Sequence, residues 1–194
     1  MTLGLFGGSF NPPHVAHLAV ADACAAAAGL DRVLWTPAPA PPHKPAGAHL
    51  VAPAHRLEMV RLAVEGNERF SLSDIEFHRP GPHFTVDTLR ALRAECPGAD
   101  LALVVGGDSL ASFASWREPD AILRLARLVA YRRPGAGLAG VAAHVLARTT
   151  LVDGPALDLS ATEIRARIAA GQTVRYLVPD AVRAYIAAHG LYRG

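Results

Sequence analysis

The chain has 194 residues, a length typical of one domain with a sizeable core. Hydrophobic residues make up 51% of the chain, and 19 Lys and Arg stand against 17 Asp and Glu, which gives a formal net charge of +2. This composition excludes an intrinsically disordered protein and a strongly basic nucleic-acid-binding protein. We therefore expect a single domain spanning residues 1–194, with no nucleic-acid partner.

The cysteines and the N-terminus predict a compartment. Cys24 and Cys96 are the only cysteines and form no C-x-x-C pair, which favours the reducing cytoplasm. No basic residue precedes the first apolar stretch, which argues against a signal peptide. The alanine-rich run 19–29 contains Asp22 and is too short to span a bilayer. We expect a cytoplasmic protein without a membrane partner, and a homo-oligomer remains an open alternative.

Strands and helices alternate along the chain. The predicted strands are Thr2–Phe6, Arg32–Thr36, Phe70–Ser73 (extended through Asp74–Phe77), Leu101–Val105 and Leu128–Tyr131. The predicted helices are Val15–Ala28, Ala54–Glu65, Val86–Glu95 with Thr85 as N-cap, Glu118–Leu125, Ser160–Ala170 and Pro179–His189. A less regular helix and strand precede about Val152. The alternation predicts an α/β, Rossmann-like doubly wound parallel sheet, with the C-terminal helices packed beside it.

The stretch from Leu5 to His17 combines the features of an anion site. Gly7 and Gly8 follow a buried strand and let the backbone approach a ligand closely, because they lack a Cβ. A helix begins near His14, and its free N–H groups and dipole attract a phosphate. His14 and His17 are three residues apart and share one face of that helix.

Each of these features also has a purely structural explanation. A Gly-Gly turn after a strand is common, and two histidines at this spacing are often structural. A metalloprotease-type zinc site is not indicated, because its histidines are four residues apart with a Glu between them. The combination directly after the first strand is more specific than either part.

A proline-rich loop follows the second strand and carries Pro42, His43 and Lys44, the only lysine of the chain. Such loops are often linkers. This one follows the C-terminal end of a strand, which is where open α/β sheets bind ligands. A flexible ammonium there suits phosphate binding, although a single lysine among arginines can also be chance.

Two further stretches place polar groups at strand or helix ends. Gly106-Gly107-Asp108 follows the most apolar strand; it is either a tight turn or a site where the carboxylate of Asp108 meets a ribose. In the stretch 159–165, Ser160 and Glu163 have the spacing of a capping box. Thr162 adds a second hydroxyl, and Arg165 follows one turn later, where its fork can bind phosphate oxygens.

These stretches resemble a known superfamily. Gly8 to His17 matches G-x-F-x-P-x-H-x-x-H and is similar to the first signature of the (H/T)xGH nucleotidylyltransferases, with Ala16 in place of the motif glycine. The stretch 159–165 resembles their second signature, (I/L)S-x-T-x-x-R. The segments 41–44, 106–110 and 132–135, together with Trp116 and the C-terminal stretch 176–192, resemble the bacterial nicotinate-nucleotide adenylyltransferases over essentially the full length.

The resemblance implies transfer of the adenylyl group of ATP to nicotinate mononucleotide, which gives nicotinate adenine dinucleotide and pyrophosphate. The catalytic residues that it implies are His14, His17, Lys44 and Arg165. The ATP-binding residues that it implies are Gly7, Gly8, Ser9, Phe10, His17, Gly106, Asp108, Ser160, Thr162 and Arg165. Mg²⁺ is expected to be held mainly by ATP phosphates and water, because no carboxylate cluster stands out; no protein metal ligand is predicted.

The mononucleotide pocket is expected around Thr85, Trp116, Arg117 and Arg133. Trp116 can stack on the pyridine ring or be an ordinary core residue. Arg117 stands where the family often has an aromatic residue; it either pairs with the carboxylate or points into solvent.

Other functions remain open at this stage. Another adenylyltransferase of the same superfamily, acting on nicotinamide mononucleotide or phosphopantetheine, is an alternative; the phosphopantetheine enzyme resembles this chain only at the two ATP signatures. A Rossmann oxidoreductase lacks support, because the first turn is not G-x-G-x-x-G. A non-catalytic nucleotide sensor would keep the fold, but the intact polar residues of both signatures argue against it.

Overall fold

The structure is a computed structural model that describes residues 1–41, 50–132, 140–154 and 157–193. The six strands are β1 (Thr2–Gly8), β2 (Arg32–Pro37), β3 (Phe70–Leu72), β4 (Asp100–Gly106), β5 (Arg127–Arg132) and β6 (Thr149–Asp153). The eight helices of these ranges are α1 (Val15–Ala28), α2 (Pro53–Val64), α3 (Thr85–Glu95), α4 (Gly107–Ala111), α5 (Pro119–Leu125), α6 (Ala143–Leu146), α7 (Ala161–Ala169) and α8 (Asp180–Ala188).

All strand pairs are parallel, and the strand order is β3-β2-β1-β4-β5-β6. The chain thus winds outward from β1 in one direction, then returns to the centre and winds outward in the other. This reversal creates a crevice at the carboxyl ends of β1 and β4, where such sheets bind ligands. The predicted doubly wound parallel sheet is confirmed.

Helices cover both faces of the sheet. On one face, α3 and α5 bury Leu89 and Ile122 against β4 and β5. On the other face, α1 and α2 bury Cys24 and Val60 against the same sheet. Strands that are buried on both sides have nearly continuous apolar sequences, which explains why β4 could be predicted from the sequence.

The C-terminal helices form a third cluster with α2. Met59 of α2 packs with Ile164 of α7, with Val182 and Ile186 of α8, and with Leu191 near the C-terminus. The expected packing of the C-terminal helices beside the sheet is therefore confirmed, and α2 is the element that connects them to it.

Two sequence predictions about local structure are wrong. Asp74–Phe77 does not extend β3 but forms a turn, in which the N–H of Phe77 donates to the carbonyl of Asp74 at 2.7 Å. Thr85 is not the N-cap of α3 but its first residue. The N-cap is Phe84, whose carbonyl already accepts from the N–H groups of Asp87 and Thr88.

Two observations concern membrane-spanning helices and the state of the cysteines. Within the described ranges, no helix is both long and apolar enough to cross a bilayer. Cys24 is buried, Cys96 is half-buried, and both are free thiols.

Candidate active site

Two cavities open at the carboxyl edge of the sheet and meet at shared residues. The first has a volume of about 380 Å³ and extends from Gly7 and Gly8 to Thr85 and Trp116. The second has a volume of about 240 Å³ and is lined by residues that include His14, Ala16, Gly107 and Asp108. Phe6, His17 and Gly106 line both. A group held at His17 is therefore accessible to ligands in both cavities.

The two histidines are held against each other at the start of α1. Their rings stack with centroids 3.7 Å apart, and the backbone N–H of His14 donates to Nδ1 of His17 at 3.2 Å. Because Nδ1 of His17 accepts this bond, the proton of the neutral ring is on Nε2. His17 thus has one N–H left to donate to a ligand.

Burial keeps both imidazoles uncharged. It lowers the pKa of His14 from 6.5 to about 4. The pKa of His17 is lowered well below 6.5, first by burial and then by repulsion from a protonated His14. Near pH 7 the pair therefore offers neutral N–H donors rather than positive charges.

An aromatic cluster packs against the His17 ring. Phe10 lies 5.2 Å from the His17 ring and 5.3 Å from Trp35, measured between centroids. Phe10 has a positive φ of 43°. A Cβ on Gly8 would lie only 3.0 Å from the Phe10 ring, so glycine at position 8 lets this ring pack under the turn.

The second signature is brought to the first by Arg165. Its Nη1 donates to the carbonyl of Asn11 at 2.9 Å, and its Nη2 donates to Oγ1 of Thr162 at 3.2 Å. Ser160 is the N-cap of α7, as predicted, and accepts from the N–H of Glu163. The second half of the predicted capping box is not formed, because the carboxylate of Glu163 pairs with Arg167 instead.

The far end of the first cavity contains the predicted pyridine-binding residues. Thr85 begins α3, and Trp116 is half-buried against Phe113 with ring centroids 5.6 Å apart. Arg117 lines the same cavity, with its guanidinium 4.7 Å from the centre of the Phe84 ring. It is thus held at the cavity wall by an aromatic face, although its side chain is exposed.

The described site residues separate into three groups. The expected ATP-binding residues Gly7, Gly8, Ser9 and Phe10 line the first cavity, Asp108 lines the second, and Gly106 lines both. Ser160, Thr162 and Arg165 line neither cavity, but Arg165 reaches Asn11. Lys44 and Arg133 lie outside the described residues.

Several residues around the site were not found from the sequence. Arg56 is buried beneath the turn after β1 and donates to the carbonyl of Ser9. Tyr192 donates from its hydroxyl to Oδ1 of Asn11 at 2.9 Å. Glu76 and His83 are buried and line the first cavity. The only signal for Arg56 was its place among the apolar residues of a helix, which does not reveal its partners.

Side chains that could bind a metal do not cluster in the described part of the site. No cluster of three or more His, Cys, Asp or Glu side chains suited to a metal occurs among residues 1–41, 50–132, 140–154 and 157–193. Asp108 is one exposed carboxylate at the second cavity.

The fold and the site define an open α/β protein with two adjoining cavities at the carboxyl edge of its parallel sheet. Residues 5–167 match the family model described as cytidylyltransferase-like. The chain belongs to this family.

Named relatives match nearly the whole chain, and a solved structure shares its fold. A probable nicotinate-nucleotide adenylyltransferase of Salinibacter ruber is 48% identical over 193 residues, which cover 100% of this chain and 98% of the relative. A protein of the same name from Roseiflexus sp. is 47% identical, with 98% of each chain covered. The structure of Plasmodium falciparum nicotinic acid mononucleotide adenylyltransferase complexed with NaAD superposes with a TM-score of 0.81 at 19% identity, over 98% of this chain and 97% of that one. This last likeness shows the fold.

Proposed function

We propose that this chain is a nicotinate-nucleotide adenylyltransferase, an enzyme of NAD biosynthesis. It transfers the adenylyl group of ATP to nicotinate mononucleotide and releases pyrophosphate. The observation that carries the proposal is the meeting of two cavities at His17 and Gly106. The names of relatives that match nearly the whole chain support the choice of substrates.

The two cavities suit the two substrates. The first contains Trp116 and the start of α3, an aromatic face and free N–H groups that suit a pyridine carboxylate. The second contains Gly107 and Asp108 after β4, where a carboxylate suits ribose hydroxyls. The pyridine of the mononucleotide therefore occupies the Trp116 end of the first cavity and the adenosine of ATP occupies the second. The phosphates of both ligands lie near His17 and the turn at residues 7–10, which keeps its expected role in binding ATP.

The reaction needs no protein nucleophile. A phosphate oxygen of the mononucleotide attacks the α-phosphorus of ATP, a new P–O bond forms, and the bond to the oxygen that bridges to the β-phosphate breaks. The electron pair of that bond leaves with pyrophosphate. The protein holds the two polyanions in line and stabilises negative charge in the transition state.

The histidines act as neutral donors in this scheme. The Nε2–H of His17 donates to an α-phosphate oxygen, and His14 fixes the ring of His17 through stacking and its backbone N–H. Arg165 and Lys44 neutralise the β- and γ-phosphates. Mg²⁺ bound to the ATP phosphates would neutralise part of their charge. The free thiols of Cys24 and Cys96 fit a cytoplasmic enzyme.

A coupled pyrophosphate assay tests the proposal. The purified protein is incubated with MgATP and, in separate reactions, nicotinate mononucleotide, nicotinamide mononucleotide or phosphopantetheine. We expect pyrophosphate and a dinucleotide with the first substrate and much slower turnover with the others. Turnover fastest with phosphopantetheine, or no pyrophosphate with any acceptor, would contradict the assignment.

A further inference from the structure

Arg56 is a buried cation whose hydrogen-bond partners in the described part of the chain are all backbone carbonyls. It lies on α2, is 1% exposed, and uses all three nitrogens of its guanidinium. Nη1 donates to the carbonyls of Ala38 at 2.6 Å and of Ser9 at 3.0 Å. Nη2 donates to the carbonyl of Pro39 at 2.8 Å, and Nε donates to that of Val51 at 3.3 Å.

The segments joined by Arg56 come from three parts of the chain. Ser9 belongs to the turn after β1, Ala38 and Pro39 follow β2, and Val51 precedes α2. The backbone connects the turn after β1 to the chain after β2 through the N–H of Ala38, which donates to the carbonyl of Gly8 at 3.0 Å. The guanidinium extends this connection across the gap between the turn after β1 and the chain after β2.

Two of these segments form the wall of the first cavity. Ser9, Ala38 and Pro41 all line it, whereas Arg56 does not. Within the described ranges no carboxylate pairs with Arg56, so its charge is compensated mainly by the four carbonyls. A buried cation is costly to keep unless its hydrogen bonds are made. Because one nitrogen of Arg56 donates to the carbonyls of both Ser9 and Ala38, the guanidinium is well suited to hold these two residues at a fixed separation.

We propose that Arg56 is a positioning residue that sets the shape of the mononucleotide cavity by fixing the backbone of Ser9 and Ala38. This inference rests on the proposed function of the cavity. Ser9 is also an expected ATP contact, but Ala38 is not, and the second cavity, which would hold the adenosine, contains neither residue. Loss of the guanidinium should therefore weaken binding of the mononucleotide more than binding of ATP.

Arg56→Lys tests this role, because lysine keeps the positive charge but cannot reach four carbonyls from one nitrogen. Arg56→Met removes the charge as well. We expect the KM for nicotinate mononucleotide to rise about tenfold or more in Arg56→Lys, while the KM for ATP changes less than about threefold. Isothermal titration with nicotinate mononucleotide alone should show the same loss of affinity without any turnover.

Arg93 provides a matched control. It lies on α3 and also joins two segments through backbone carbonyls, with 2.8 Å from Nη1 to Ala99 O and 2.9 Å from Nη2 to Leu125 O, but it lines neither cavity. Arg93→Lys should lower the free energy of unfolding and leave both KM values within about twofold. Unfolding in urea is measured for all variants, and kinetics are compared at 15 °C on protein with a native circular dichroism spectrum.

The outcomes separate the possible errors. Equal increases in the two KM values, or a mononucleotide KM within twofold of the parent, would overturn the inference. Failure of both Arg56 variants to fold at 15 °C would assign the residue to folding and would also overturn it. Absence of pyrophosphate formation by the unaltered protein would instead overturn the proposed function, independently of any Arg56 variant.

Discussion

At the scale of single residues, the site depends on how His14 and His17 are held. Two histidines three residues apart on a helix are common, but here the rings stack at 3.7 Å and one backbone N–H fixes Nδ1 of His17. Because Nδ1 accepts this hydrogen bond, the Nε2–H of His17 is left to donate to a ligand. The sequence spacing predicts that the two histidines share one face of α1. The tautomer of His17 could be assigned only from the hydrogen bond seen in the structure.

His17→Ala tests the donor role. We expect kcat/KM to fall by about 10²–10³, the loss typical of one donor to a transition state, while the circular dichroism spectrum stays native. His55→Ala is the control, because it also removes an imidazole, one whose Nδ1 lies 2.9 Å from the hydroxyl of Tyr185. That variant should keep kcat/KM within a few-fold. Activity of His17→Ala close to that of the parent would make His17 structural.

The lowered pKa of His14 has a consequence for stability. In the unfolded chain the imidazole titrates near 6.5, and in the folded protein near 4, so protons bind the unfolded state preferentially between these values. Stability that is present above pH 6.5 is therefore lost as the pH falls towards 4. From pH 7 to pH 5 His14 should account for a loss of about 2 kcal/mol in the free energy of unfolding.

Urea unfolding at pH 7 and pH 5 measures this loss. In His14→Asn the difference between the two pH values should be smaller than in the parent by about that amount, whatever the absolute stability of the variant. An identical difference in both proteins would show that the His14 imidazole is not kept neutral by the fold.

At the scale of secondary-structure elements, α7 connects the two signatures. Its N-cap Ser160 orders the first turn, its Arg165 reaches Asn11, and its Ile164 is fully buried beside α2 and α8. Ser160→Ala should lower the free energy of unfolding by about 1 kcal/mol, the usual cost of losing an N-cap.

Ser112→Ala is the control for the capping effect. Ser112 is also exposed, and its hydroxyl donates to the carbonyl of Asp108, but it caps no helix N-terminus through its side chain. Its loss should change stability by less than about 0.5 kcal/mol. Equal losses in the two variants, measured in urea, would remove the N-cap explanation.

The elements were largely predictable because their apolar periods are strong. β4 is an apolar run and α1 is rich in alanine, so both could be placed within a residue or two. The stretch after β3 could not, because Ile75 and Glu76 are adjacent and both buried, a pattern that arises from a turn packed into the fold. Likewise, the start of α3 at Thr85 is set by the carbonyl of Phe84, and no side-chain cap marks it.

Candidate site residues could be predicted from the sequence only where they belong to short motifs. The glycines after β1, the two histidines and the Ser160 stretch lie close in sequence to the structure that they form. Arg56 and Tyr192 reach the same turn from 47 and 181 residues away, at Ser9 and Asn11 respectively. Such contacts depend on tertiary packing, which leaves no local pattern. Lys44 and Arg133 lie outside the described residues, and the functional roles of all the site residues remain predictions.

At the scale of the whole molecule, the parallel sheet brings two cavities to one edge and lets them share His17. The first cavity should select the acid mononucleotide over the amide, because the two pyridines have nearly the same shape and differ in charge. One charge-assisted hydrogen bond is worth about 1.5–3 kcal/mol, which corresponds to a preference in kcat/KM of about 10- to 150-fold.

Arg117→Ala separates the sources of this selectivity. If the guanidinium over Phe84 pairs with the carboxylate, the ratio of kcat/KM for nicotinate and nicotinamide mononucleotides should fall towards one in the variant. Arg175→Ala is the control, since its guanidinium also lies over an aromatic ring, that of Tyr176, and it lines neither cavity. A large ratio that does not change in Arg117→Ala would place the selectivity in backbone donors instead.

The central claim is that the phosphate of one ligand attacks the α-phosphorus of the other where the cavities meet. The most direct measurement uses nicotinate mononucleotide with ¹⁸O in its phosphate and follows the label by mass spectrometry during turnover with MgATP. We predict that all of the label stays in the dinucleotide, including its bridging oxygen, and that pyrophosphate contains none. Label in pyrophosphate, or release of orthophosphate in place of pyrophosphate, would contradict this mechanism.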